Sequence, residues 1–496
     1  MKKTSKLLAF FLAVLMAFSV VPFSFAATEE ACPLVYVPGI ASSKLYYDTS
    51  DSSTEIVFPD TDEIKRMVTK KIIPALIIWS ADKDAEKLAG VISDQFNIIF
   101  EGWFNNPDGT AKGNSGAIVN YPSSVSKNAT VRFDWDWRGD PFEAAAELDK
   151  FIEHILEKSG CSKVALSSHS LGSVVILTYL SVYGDAKVSG IVYDTPVIDG
   201  INYIGEFMLG KFVTDGDALI STVNGIFSAS ENKALVESLM DVFALAGLSD
   251  DLSSLLNDVL DDVAPIIYRD TLVPLFARWP SIWTMAPAES VGEAMDYIFS
   301  ELLTDEESLK LKAKVEKYNS EVRVDRYNTL LDFDENGRLA VISRYGSASL
   351  PISSEWDTIC DGVVDTASSS LGATTADFGK SFDAAYLEGK DEKFISPDKT
   401  VDASTCLFPE KTWFVKNINH ANAEPTRQLY SSLLFGEEEA TCENYNLPRF
   451  VIYDAESGNI SVDTSEPSVK TKKSPLQILF NFIKALFERL LNFLKK

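Results

Sequence analysis

Ser170 stands in the run Val164-Ala165-Leu166-Ser167-Ser168-His169-Ser170-Leu171-Gly172-Ser173, where an apolar stretch stops at small polar residues and a helical pattern begins. This is the form of a nucleophile elbow, a tight strand-to-helix turn that lifts one hydroxyl above the edge of a sheet. A serine hydroxyl is a weak nucleophile by itself. It needs a base to take its proton and a carboxylate to hold that base in the right tautomer. The chain contains only 3 histidines, so the search for a base is short. His154 shares the polar face of its helix with Glu147, Lys150 and Glu157, where a solvated ring is expected, and His169 is expected to point away from its neighbour Ser170. His420 remains, directly after the apolar run Thr412-Trp413-Phe414-Val415. Asp361 lies 191 residues after Ser170 and 59 before His420, which gives the chain order serine, acid, histidine. Asp194 and Asp365 are rival acids. The chemistry of such a set is acyl transfer through a covalent intermediate, and it calls for no metal or cofactor.

The elements that must position these groups can be read around them. Leu34-Val35-Tyr36-Val37 is a short β-type run ended by Pro38-Gly39, and a strand ending in a glycine turn exposes amide groups suited to a developing oxyanion. Thr130-Val131-Arg132-Phe133 is a second strand, followed by the loop Asp134-Trp135-Asp136-Trp137-Arg138-Gly139. Between Phe142 and Ser159 the apolar positions recur at helical spacing, and Gly160 ends that helix just before the elbow strand. A further helix from Val174 to Tyr183 and a strand from Val188 to Tyr193 complete an alternating order that predicts parallel strands with helices on both faces.

From about Val197 the pattern is helical to Tyr318, which reads as a helical cap inserted into the core. Within it, Arg278-Trp279-Pro280-Ser281-Ile282-Trp283 could line an apolar acyl pocket or form the core of the cap itself. Trp137, Trp279 and Trp283 are the candidate substrate-binding residues. Strand signals resume at Leu339 to Ser343 and at Thr412 to Val415, and a hairpin is expected between Leu447 and Val462. Asp332-Phe333-Asp334-Glu335-Asn336-Gly337 imitates the start of a calcium loop, but its twelfth position is Ser343 inside a strand, so a plain turn is expected.

Composition bounds the rest. With 46% hydrophobic and 24% charged residues, the chain can bury a large core. Its formal charge of −27 argues against nucleic acid as a partner. Lys2, Lys3 and Lys6, an apolar run from Leu7 to Val21, and Ser24-Phe25-Ala26 have the form of a secretory signal peptide cleaved before Ala27. Export makes disulfides permissible among Cys32, Cys161, Cys360, Cys406 and Cys442, and Cys360 with Cys406 is the expected pair. In the tail, Gln477, Asn481, Lys484, Glu488, Asn492 and Lys495 form one narrow polar stripe on an apolar helix. From Lys470 onward, 7 basic residues face Glu488 alone, a net charge of +6 that suits the surface of an anionic membrane.

Taken together, Val37-Pro38-Gly39-Ile40, Asp136-Trp137-Arg138, His169-Ser170-Leu171-Gly172, Pro280 through Pro287, Asp361-Gly362-Val363-Val364 and His420 resemble the lecithin:cholesterol acyltransferase family. The likeness runs through most of residues 33 to 430. It implies an α/β-hydrolase fold, with a mostly parallel doubly wound sheet, and a serine enzyme acting on acyl esters of lipids. The acyl group would pass to water or to an alcohol acceptor. It also implies Ser170, Asp361 and His420 as the catalytic residues and the amides of Ile40 and Leu171 as oxyanion donors. The chain departs from the family pattern at Ala41, Ser168 and Asp365, where glycine, glycine and proline are usual.

The expected organisation is a signal peptide at 1–26, an α/β core at 27–196 and 321–463, the cap at 197–320, a linker at 464–475, and an amphipathic membrane-surface helix at 476–496. The protein is expected outside the cell, held at the membrane by that helix. The rival readings are a cell-surface amidase or peptidase on the same fold, and an inactive scaffold that displays a binding surface.

Overall fold

The computed structural model describes residues 32–57, 66–218 and 248–467, together with a few single positions between these stretches. The signal-peptide region 1–26, the tail 476–496 and most of the linker lie outside the described residues. So do most of residues 219–247 of the expected cap.

Eight strands make one sheet: β1 (Leu34–Val37), β2 (Thr130–Arg132), β3 (Val164–His169), β4 (Val188–Asp194), β5 (Arg338–Tyr345), β6 (Thr412–Lys416), β7 (Phe450–Asp454) and β8 (Asn459–Val462). Their spatial order is β8-β7-β6-β5-β4-β3-β1-β2. Every pairing is parallel except the edge hairpin of β7 with β8, whose turn contains Gly458 at φ 72°.

Successive residues of a strand face opposite sides of a sheet, and a parallel sheet covered on both sides must be apolar on both. The sequence meets that demand. Leu34, Tyr36, Ala165, Val192, Ala340, Ile342, Trp413 and Val415 pack on one side against Tyr430, Leu433 and Leu434 of helix Glu424–Leu434. Val35, Val37, Val164, Leu166, Ile191, Tyr193, Leu339 and Val341 pack on the other side, against helices α1 (Pro141–Ser159) and α2 (Gly172–Tyr183). Each large side chain buried here contributes ~1.5–3 kcal/mol of apolar transfer.

Helix α1 shows why the sequence stops and starts where it does. The Asp140 carboxylate accepts from the Phe142 amide at 2.9 Å, Pro141 occupies the first turn, and Gly160 closes the helix at φ 68°. Its apolar stripe of Ala145, Leu148, Phe151, Ile152 and Ile155 is fully buried.

Among the described residues of 197–320 there are helices and no strand. They are Asn202–Met208, Leu248–Ile267, Pro280–Thr284, Ala288–Tyr297 and Glu306–Glu321, with π-helical turns at Tyr268–Ala277 and Ile298–Leu302. Helices Ile73–Asp82 and Ala85–Ile99, from a stretch whose sequence carries no readable chemistry, join Leu248–Ile267 in a small separate core of Trp79, Leu88, Ala89, Val263 and Ile267.

Two expectations are overturned. Residues 332–336 are the last turn of helix Arg326–Asn336, because Leu330 and Phe333 on that helix are buried and hold it down; neither a calcium loop nor a plain turn forms before Asn336. Cys360 and Cys406 are both free thiols, so the expected pair is not joined. The Cys360 sulfur instead accepts the Gly362 amide at 3.0 Å, which ties it to its own turn.

Candidate active site

The elbow is a place where backbone crowding dictates residue type. Ser170 has φ 54°, in the left-handed region that side chains rarely occupy, between the end of β3 and the start of α2. A Cβ at position 172 would lie 2.2 Å from the carbonyl oxygen of Val37, and one at position 39 would lie 2.8 Å from the Ser170 Cβ. Gly39 and Gly172 are therefore what let the β1 turn and the elbow touch. Ser168 fits beneath with no exposure, although its hydroxyl has no partner among the described residues. Ala41 adopts φ 54°, a conformation glycine would take without strain, which gives the chain's departure at that position a small local cost.

The loop after β2 pins that turn from above. Trp135 donates its ring N–H to the carbonyl of Pro38 at 2.9 Å, and Trp137 donates to the carbonyl of Ser43 at 3.1 Å. The Ser43 hydroxyl accepts from the Trp135 amide at 3.2 Å. Arg138 is entirely buried, paired with Asp136 at 2.6 Å and donating to the Gly102 carbonyl at 3.0 Å. Ile40 follows in the pinned turn. Among the described residues, no hydrogen bond is donated by the amides of Ile40 or Leu171.

Three side chains from three loops converge at the carboxyl end of the sheet. His420 Nε2 lies 2.9 Å from Ser170 Oγ, and His420 Nδ1 lies 2.7 Å from Asp361 Oδ2. The other oxygen of Asp361 accepts the amides of Val363 and Val364 at 3.0 and 2.8 Å, so the carboxylate has one oxygen left for the ring. Burial of Asp361 by itself would raise its pKa. His420, Arg344 and the Val364 amide outweigh that and hold it below the usual carboxylate value. A charged Asp361 fixes the proton of neutral His420 on Nδ1, which leaves Nε2 as the acceptor for the Ser170 hydroxyl.

The other candidates go elsewhere. Asp194 is buried and ion-paired with Arg344 at 2.8 Å, and it does not reach His420. Asp365 accepts the Asn202 amide at 2.7 Å, and burial pushes its carboxyl up to about 6. His154 is half-buried where a solvated ring was expected, because its Nε2 lies 2.7 Å from the Pro122 carbonyl and its ring packs on the edge of Tyr121. His169 faces the His420 ring at 4.7 Å between centroids. Burial pushes its pKa down to about 3, so the ring beside His420 is uncharged at neutral pH.

Ser170 and His420 open onto a cavity of about 290 Å³. Its wall is almost wholly apolar and includes Ile40, Phe207, Phe276, Trp279, Met285 and Val363, with Glu206 and Lys211 as the charged members. Of the three tryptophans expected there, Trp279 lines it. Trp137 and Trp283 do not: Trp137 stacks edge-on against Trp103 at 4.8 Å, and Trp283 lies flat against Phe299 at 5.2 Å, both within the core. Sequence reading missed Phe207, Phe276 and the pair Leu350 and Ile352, since single apolar residues in helices and loops carry no signal of facing a cavity. It missed Arg344 too, although an arginine at the end of the apolar run from Leu339 to Ser343 was a visible anomaly.

No family model and no curated protein sequence matches the chain. Solved structures do match, two of them as follows. The Tle4–Tli4 complex matches at 13% identity and a TM-score of 0.20, over 36% of this chain and 48% of that one. Lipase B of Aspergillus fumigatus matches at 13% identity and a TM-score of 0.17, over 37% of this chain and 28% of that one. The chain thus spans less than half the length of either neighbour, and at such values the likeness carries no argument about activity.

Proposed function

We propose that the protein is a serine hydrolase of the α/β-hydrolase type that cleaves acyl esters of apolar substrates, lipids foremost, through an acyl-enzyme. The observation that carries this reading is the Ser170–His420–Asp361 chain of contacts at 2.9 and 2.7 Å, opening onto an apolar cavity. Ser170 Oγ attacks the ester carbonyl carbon while His420 Nε2 takes its proton. Asp361 holds the ring and stabilises the imidazolium that forms. The amides of Ile40 and Leu171 receive the developing oxyanion, which is worth ~3–4 kcal/mol for one such donor in a dry site. His420 then returns the proton to the departing alcohol, and the acyl group stays on Ser170. Water or a second alcohol, activated by the same base, completes the cycle.

An apolar wall beside the nucleophile suits an acyl chain, because each methylene buried adds ~0.8 kcal/mol. The helices of 197–320 supply much of that wall and act as the cap. The resemblance to the lecithin:cholesterol acyltransferase family favours transfer to an alcohol as a second mode. Export through residues 1–26 and attachment to anionic membranes through 476–496 belong to the same proposal. The attachment is tested by whether residues 27–465 alone still co-sediment with anionic vesicles. Unchanged sedimentation would remove the anchor.

The decisive test of the activity is product analysis with a phospholipid, with and without an added alcohol. Free fatty acid alone means hydrolysis, and a new ester means transfer. Neither product, from folded protein on phospholipid or on a short acyl ester, would overturn the proposal.

A further inference from the structure

Arg344, next to last in strand β5, has no exposed surface, and its guanidinium touches the loops that carry the site. Nη1 donates to the carbonyls of Asn419, His420 and Asn422 at 3.2, 3.1 and 3.4 Å. Nη2 donates to both oxygens of Asp194 at 2.9 and 2.8 Å and to the Thr426 hydroxyl at 2.9 Å. The backbone oxygen of Asp194 in turn accepts the Ser170 amide at 3.1 Å. The carbonyl of Arg344 itself accepts the Thr366 hydroxyl at 2.8 Å, just beyond the Asp361 turn. One residue is therefore bonded to the base loop, to the residue that anchors the elbow, and to the segment behind the acid.

The loop from Asn417 to Ala423 is also held at its two ends, where the Asn417 amide donates to the Tyr345 carbonyl at 3.0 Å and Ile418 and Ala423 are buried. It leaves β6 through Asn417 at φ 64°, and the His420 amide donates to the Asp361 carbonyl at 3.1 Å. Three of its carbonyls share the two hydrogens of Nη1 while Nη2 holds Asp194 and Thr426, so one planar group spans both sets of partners at once, which a single ammonium nitrogen does not. A buried ion pair adds little or nothing to stability compared with an apolar pair of similar size. Packing alone thus gives no reason for Arg344 and Asp194 in this core, whereas fixing a loop within a fraction of an ångström does.

We infer that Arg344, with Asp194 as its counter-ion, is a positioning residue that clamps the His420 loop against the elbow so that Nε2 stays in register with Ser170 Oγ. The inference rests on the proposed role of Ser170 as nucleophile. It also gives Asp194, a rival for the acid by sequence, a different task.

The test uses the full chain with two changes, Arg344→Lys and the double change Arg344→Met with Asp194→Leu. The lysine keeps the charge beside Asp194 and loses the fork; the double change loses both charges without stranding either. The readouts are kcat and KM on a short acyl ester, the rate of fluorophosphonate labelling at Ser170, thermal unfolding, and the downfield proton resonance of the His420–Asp361 hydrogen bond. A displaced base predicts kcat and labelling lower by about 10²-fold with KM little changed, in variants that unfold cooperatively. It also predicts loss of the downfield resonance. If the double variant does not fold, the lysine variant decides alone. Wild-type labelling rates in the folded variants would overturn the clamp, as would a fall in kcat with the resonance intact. Failure of the wild-type protein to label at all would overturn the reading of Ser170, and the clamp with it.

Discussion

The carboxyl end of the sheet and the helical wall that faces it are built on opposite terms. At the sheet, two buried carboxylates have assigned partners: Asp361 is filled by two amides and His420, and Asp194 by Arg344, Thr426 and Tyr430. At the wall, Phe207, Phe276 and Trp279 meet edge to face, with ring centroids 5.7 Å apart for the first pair and 4.8 Å for the second. Hydrogen bonds fix angles, and apolar contacts fix volume. Under the proposed function, the chemistry is set by the first region and the choice of acyl chain by the second. Substitutions should separate rate from binding along that line.

The largest effect belongs to the sheet end. Asp361→Asn should leave the fold intact and lower kcat by ~10⁴-fold with little change in KM, measured on a soluble ester. Trp283→Ala tests the core side of the wall. It should destabilise the protein by ~3–5 kcal/mol in chemical denaturation, while the folded fraction keeps its KM, since Trp283 does not line the cavity. Phe276→Ala acts on the cavity side of the same wall. It should change kcat/KM for long-chain esters by up to about 100-fold and leave short-chain esters nearly untouched. A uniform loss across chain lengths would dissolve the distinction between the two regions.

A smaller effect lies at the seam between them. Asp365, in the segment after the acid, bonds to the Asn202 amide at the start of a wall helix, and burial pushes its carboxyl from 3.8 up to about 6. Because folding raises its affinity for a proton, its contribution to stability is complete below the ordinary value and is lost as pH rises through about 6. Asp365→Asn should therefore match wild type near about pH 4 and exceed it by on the order of 2 kcal/mol near about pH 8, by denaturant titration. An equal offset at both values would mean that the carboxyl does not titrate there.

The same contrast explains what the sequence disclosed. Strand positions such as Leu34 to Val37 and Val188 to Asp194 follow from alternation and from turn residues, which are local signals, and eight strands with a parallel core came through almost residue for residue. Ser170, Asp361 and His420 could be picked out because few residue types can act as nucleophile and base, and because only three histidines compete. What sequence could not give depends on long-range placement. Trp137, Trp279 and Trp283 look alike in composition, and only the packing of 197–320 decides that Trp279 faces the cavity. Cys360 and Cys406 were paired on compartment alone, with no information on the approach of their sulfurs. Asp332 to Asn336 has the composition of a turn, and burial of Phe333 overrides it. Arg344 was hidden because its partners lie 75, 76, 78 and 150 residues away in sequence.

The central claim is that Ser170, activated by His420, carries the acyl group. It is tested most directly by acid-quenching the protein within one turnover of an activated acyl ester and locating any added mass by peptide mass spectrometry. The account predicts one acyl group on the peptide containing Ser170, absent in Ser170→Ala and lost faster when an alcohol is added. Turnover without an adduct on that peptide, or an adduct that persists in Ser170→Ala, would contradict it.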